Sequence, residues 1–182
     1  MVKALLFLAT GFEEIESMCV VDTLRRAGVT TVLAGLQKGP IAGSRGVQMI
    51  PDRQLDELTV EDFDAVILPG GSPGYINLGA DARVLKMVTK AYESGKLVAA
   101  ICGAPSILGK LGIVRGKRAT IFPGMEANLI GAEPVSDPVV VDGNVVTSRG
   151  PGTALEFAIS LVELLVGKQK AREVRQGLVM DS

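Results

Sequence analysis

The sequence predicts an α/β protein: a three-layer sandwich with helices on both faces of a mostly parallel central sheet, flavodoxin-like in character. Three observations predict it. Strand-like and helix-like segments alternate along the chain. The strand segments are short and apolar throughout, as in VKALLFLA (2–9) and DAVILPGG (64–71), which is what strands covered on both faces require. Hydrophobic residues make up 47% of the chain and the mean hydropathy is +0.35, enough for a large core.

Each element follows from local pattern. Residues 2–9 form the first strand. EEIESMCVVDTLRRAG (13–28) places Ile15, Cys19, Val20, Thr23 and Leu24 along one helical face, and Gly28 stops the helix. TTVLAG (30–35) is the second strand. Residues 36–62 are polar and broken by glycine and proline, and read as an excursion at the sheet edge. The strand at 64–71 runs straight into a glycine pair. DARVLKMVTKAYESG (81–95) is a helix, KLVAAI (96–101) a strand, and another helix begins near Ala104. A strand lies near RATIF (118–122). VVVDGNVVTSRG (139–150) reads as a hairpin with Asp142-Gly143 as its turn signal. GTALEFAISLVELLVG (152–167) is an apolar helix and KQKAREVRQG (168–177) a polar one. No repeat, linker or low-complexity segment intervenes, so residues 1–182 are expected to form one domain.

Composition excludes several function classes. Nineteen basic against twenty acidic residues leave a formal charge of −1 with no basic cluster, so no nucleic-acid or membrane footprint is expected. No apolar run approaches a membrane span, and the start MVKALLFLATGFEE reads as a buried strand rather than a signal peptide. Two cysteines make no disulfide framework, which points to a reducing, cytoplasmic setting. With no histidine, two distant cysteines and no paired acidic motif, no metal is expected. Neither G-x-x-x-x-G-K-[ST] nor G-x-G-x-x-G occurs, which disfavours nucleotides; no cofactor is expected.

Open α/β sheets bind ligands beyond the carboxyl ends of their strands. ATGFEEIE, LPGGSPG and ICGAPS all fall there. A lone cysteine at a strand end is ordinarily a small buried hydrophobe. Cys102 differs because it lies beside Gly103, near the Gly70-Gly71 pair, and ahead of a helix whose N-terminus favours thiolate. Cys19, mid-helix on an apolar face, is read as core. Gly70 and Gly71 either permit a tight turn or bare backbone N–H groups toward a ligand oxygen. Glu13 and Glu14 are accounted for as complements of the helix dipole, whereas Glu16, one turn in, is the candidate inward-facing carboxyl. Arg149 of TSRGPGT is either a surface residue or an anion contact at the same rim.

ATGFEEIE, RRAG, SRGV, DAVILPGG, VAAICGAP, TSRGPGT and EFA, in this order and spacing, resemble the ThiJ/PfpI superfamily across essentially the whole chain. More narrowly they resemble its DJ-1 branch, in the bacterial YajL-type form. The resemblance implies a flavodoxin-like homodimer in which Cys102 is the reactive nucleophile at a strained elbow. Glu16 is then the protonated carboxyl that hydrogen-bonds its sulfur. The N–H groups of Gly70, Gly71 and Gly103 bind substrate oxygen, and Arg45, from the other subunit, and Arg149 flank an anion pocket. The implied activity is that of a glutathione-independent glyoxalase or protein deglycase, taking a small carbonyl substrate or a glycated adduct. The alternative is a redox sensor or redox-regulated chaperone in which Cys102 is a switch. One departure stands out: Phe122 of TIFPG replaces the pocket histidine of many members. Gly103 directly after the cysteine, and the absence of any histidine, exclude the protease and amidotransferase branches.

Overall fold

In the computed structural model, which describes residues 1–180, alternation of strand and helix is the governing pattern. The chain begins β1 (Lys3–Leu8), α1 (Glu14–Arg26), β2 (Thr30–Gly35), then makes three two-residue strands, β3 (Ile41–Ala42), β4 (Gln48–Met49) and β5 (Arg53–Gln54). It continues through β6 (Ala65–Leu68), α2 (Gly74–Ala80), α3 (Ala82–Glu93), β7 (Leu97–Ile101) and α4 (Pro105–Lys110). After β8 (Arg118–Ala119) and β9 (Glu133–Pro134) come β10 (Val139–Asp142), β11 (Val145–Ser148), α5 (Ala154–Val166) and α6 (Lys168–Gly177).

Seven strands form one sheet in the order β10-β11-β7-β6-β1-β2-β5, and only β10 runs antiparallel to its neighbour. The fold class is therefore as the sequence predicts. The apolar runs explain it: alternate residues of β1 point to opposite layers. Ala4, Leu6 and Leu8 pack with Leu24 of α1 and Phe157 and Leu161 of α5. Leu5 and Phe7 pack with Val84 and Val88 of α3 and Leu108 of α4. From β1 the chain moves outward to β2, then returns to build β6 and β7 on the other side. The crevice at this reversal, beyond the carboxyl ends of β1 and β6, is where such sheets hold ligands.

Four local expectations are corrected. The face of α1 is rotated from the expected one: Ile15 is 54% exposed and Cys19 half-buried, while Glu14, Glu16 and Ser17 turn inward. The first turn of α1 faces the crevice rather than the core, so polar groups occupy its inner side. Helix α2 was not expected. The predicted strand at 118–122 shortens to β8, which pairs with β9 outside the main sheet. In the β10–β11 hairpin the two loop residues are Gly143-Asn144, because Asp142 already pairs with Val145.

Candidate active site

Cys102 follows the last residue of β7 and has φ of 64°, a left-handed conformation that costs a non-glycine residue about 1–2 kcal/mol. Its neighbours hold it there: its N–H donates to the Ser148 carbonyl at 3.0 Å, and its carbonyl accepts the Phe122 N–H at 2.9 Å. Strain of this kind collects at functional sites. The elbow turns the side chain toward the crevice, where α1 supplies Glu16.

Glu16 is fully buried. Its Oε2 accepts the Gly70 N–H at 2.7 Å, and the carboxyl also hydrogen-bonds the Cys102 thiol. Burial pushes its pKa up to about 7, with the charge of Glu13 acting the same way and the two hydrogen bonds opposing. Burial also pushes the Cys102 thiol up to about 12 when Glu16 is ionised, and the N–H groups of Gly71 and Gly103 pull it back. The two groups therefore titrate as one unit that holds a single proton from near neutrality upward. A standing thiolate held by a helix N-terminus is not what the site provides. Helix α4 has only six residues, and burial outweighs it. The negative sulfur exists where Glu16 carries the shared proton.

The glycines are close-approach positions. A Cβ on Gly70 would lie 2.5 Å from the Cys102 Cβ and 2.8 Å from Glu16 Oε2. Gly71 has φ of 88°, and a Cβ there would lie 2.3 Å from the Glu13 nitrogen. The Gly70 N–H is already committed to Glu16, so Gly70 is a support for the carboxyl rather than a donor to substrate oxygen. The Gly71 and Gly103 N–H groups are aimed at the sulfur.

A cavity of about 320 Å³ opens over Cys102, lined among others by Glu13, Arg45, Tyr75, Phe122 and Met125. Arg45 lines this cavity within its own chain. Arg149 is elsewhere. It lines a separate cavity of about 450 Å³ and donates to the Ser136 carbonyl at 3.2 Å. The structure thus brings Cys102, Glu16, Gly70, Gly71, Gly103 and Arg45 together and leaves Arg149 out. Sequence reasoning missed Tyr75, whose ring packs where a Cβ of Gly103 would be, and the burial of Glu13 and Glu14, 7% and 9% exposed. Nothing in an acidic helix start distinguishes a buried carboxylate from a dipole complement. Among the described residues no cluster of histidine, cysteine, aspartate and glutamate is placed to hold a metal ion. No described helix is long and apolar enough to cross a membrane.

Residues 2–164 match the DJ-1/PfpI family. The chain is 43% identical over 181 residues to protein dj-1beta of Drosophila melanogaster, covering 98% of this chain and 97% of that protein. The crystal structure of that Drosophila protein superposes with a TM-score of 0.93 at 42% identity, over 98% of this chain and 97% of that one. The chain is also 35% identical over 166 residues to the deglycase PH1704 of Pyrococcus horikoshii, covering 90% of this chain and 99% of that protein.

Proposed function

The chain belongs to the DJ-1/PfpI family, and from that premise we propose that it detoxifies reactive carbonyls as a glyoxalase- or deglycase-type enzyme. The observation that carries this reading is the buried Glu16 carboxyl, its pKa pushed up to about 7, hydrogen-bonded to a thiol on a strained elbow. Such a pair can supply a nucleophile and move a proton at the same carbon. A relative named as a deglycase supports it.

The steps balance without an added oxidant. The Cys102 sulfur adds to the aldehyde carbon of a 2-oxoaldehyde such as methylglyoxal, and Glu16 gives its proton to the new alkoxide, leaving a hemithioacetal. Bonding to carbon weakens the sulfur as an acceptor, which releases the Gly71 and Gly103 N–H groups toward the neighbouring oxygen. The Glu16 carboxylate then removes the proton from the former aldehyde carbon and returns it to the adjacent one, while the hemithioacetal hydroxyl proton passes to the oxygen on that adjacent carbon. The first carbon is oxidised and the second reduced, giving a 2-hydroxy thioester. Water hydrolyses the thioester to a 2-hydroxy acid and frees Cys102. In deglycation the sulfur would take the same carbon of an early hemiaminal adduct, the C–N bond breaking and the amine leaving with the Glu16 proton, to give the same hemithioacetal.

The test is lactate formation from methylglyoxal by protein free of contaminating glyoxalases, wild type beside Cys102→Ser. Lactate that depends on Cys102 is expected. A second reading, a redox switch or redox-regulated chaperone, draws on Phe122 standing where many members of the resembling family carry histidine. That reading predicts peroxide oxidation of Cys102 with no lactate from either protein.

A further inference from the structure

The carbonyl chemistry above leaves Glu14 unused, although it is almost fully buried beside the site. Its Oε1 accepts the Arg45 N–H at 2.7 Å and the Val47 N–H at 3.3 Å, and its Oε2 accepts the Ser44 hydroxyl at 3.1 Å. Burial pushes this carboxyl up, but the donors outweigh it and hold Glu14 below the ordinary carboxylate value. The loop at 43–47 is built around that anion: a Cβ on Gly43 would lie 2.4 Å from Glu14 Oε1. At the tip of the loop sits Arg45, the one cationic residue lining the Cys102 cavity among the described residues. No hydrogen bond or ion pair ties its guanidinium to another described residue. The backbone of Arg45 is clamped and its charge is free.

We propose that Glu14 is a positioning residue: it fixes the 43–47 loop so that Arg45 faces the Cys102 cavity, and thereby makes the site favour carbonyl compounds that carry an anionic group. The substrate preference rests on the carbonyl-handling function proposed above; the placement of the cation does not, and the test separates the two.

Two reagents that displace iodide at sulfur, iodoacetate and iodoacetamide, differ chiefly in charge. Their rates at Cys102, resolved from Cys19 by peptide mass spectrometry, give a ratio that reads the local cation. Arg45→Ala should lower the iodoacetate-to-iodoacetamide ratio about three- to fivefold, as expected for losing one partly screened charge near the sulfur. Glu14→Ala should lower it equally, and the double variant no further, because both changes act through one group. Glu14→Gln keeps an amide oxygen for the two N–H donors and should hold the wild-type ratio or exceed it. Simple loss of negative charge predicts otherwise: Glu14→Ala and Glu14→Gln would both raise the ratio. Should Glu14→Ala not fold, Gly43→Ala displaces the same carboxylate from the loop side and should give the same fall. A ratio at or above wild type in Glu14→Ala or Gly43→Ala overturns the proposal, as does an additive double variant. A fallen ratio in a protein whose wild type makes no lactate supports the placement of Arg45 and overturns the carbonyl function. An unchanged ratio alongside Cys102-dependent lactate does the reverse.

Discussion

A carboxyl and a thiol that share one proton behave unlike either alone, and substitutions at Glu16 separate their contributions. In wild type, alkylation of Cys102 by iodoacetamide should rise as the pair loses its first proton, near pH 7, the value to which burial pushes Glu16. Glu16→Gln keeps a neutral donor to sulfur beside the Gly71 and Gly103 N–H groups, so Cys102 should remain reactive at neutral pH. Glu16→Leu removes the donor but not the burial, and should move the alkylation profile to higher pH. Both variants lack the proton shuttle and should lose at least about a hundredfold in lactate formation, the scale of general acid–base catalysis. A Glu16→Leu protein with the wild-type alkylation profile would contradict the role given to this residue.

Three elements meet at Gly70: the loop after β6, the first turn of α1 and the elbow after β7. Gly70→Ala would drive a Cβ into Cys102 and Glu16 together, so one methyl group should disturb both. The expected cost is about 1–3 kcal/mol in denaturant unfolding, with Cys102 alkylation slowed in the same protein. Unchanged stability and unchanged alkylation would mean that the three elements can separate freely there. At this scale the sequence was informative where burial is two-sided. The strands β1, β6 and β7 are apolar runs because both faces are covered. Helix α2 was hidden because GYINLGA is seven residues long and contains two glycines, too short for a periodicity to show. The inward turn of Glu14 was hidden because an acidic residue at a helix start needs no tertiary explanation. Cys102 and Glu16 were legible from their positions at a strand end and one turn into a helix. The commitment of the Gly70 N–H to Glu16 was not, since it depends on a loop residue meeting a helix residue 54 positions away.

For the whole molecule, keeping Glu16 buried is a stability cost that depends on pH. Its folded pKa of about 7 exceeds the ordinary 4.5, so folding opposes its ionisation. The cost is absent below about pH 4.5, grows between there and about pH 7, and is complete above. Glu16→Gln is neutral throughout, and should be more stable than wild type by about 3 kcal/mol near pH 8 with no such advantage near pH 4. Equal stability of the two proteins near pH 8 would show that the native state does not disfavour the charge. Assembly is a second whole-molecule prediction: Ile15 and Met18 leave 54% and 40% of their surface exposed on α1, and a symmetric dimer would cover them. Light scattering should return twice 19.0 kDa, and a monomer at micromolar concentration would contradict it. The most direct test of the central claim, that one shared proton serves both addition and transfer, is lactate formation from methylglyoxal followed across pH in wild type, Cys102→Ser and Glu16→Gln. The account predicts wild-type lactate that rises through about pH 7, none from Cys102→Ser, and at least about a hundredfold less from Glu16→Gln although its thiol still alkylates. Lactate from Glu16→Gln at the wild-type rate, or from Cys102→Ser at all, would contradict it.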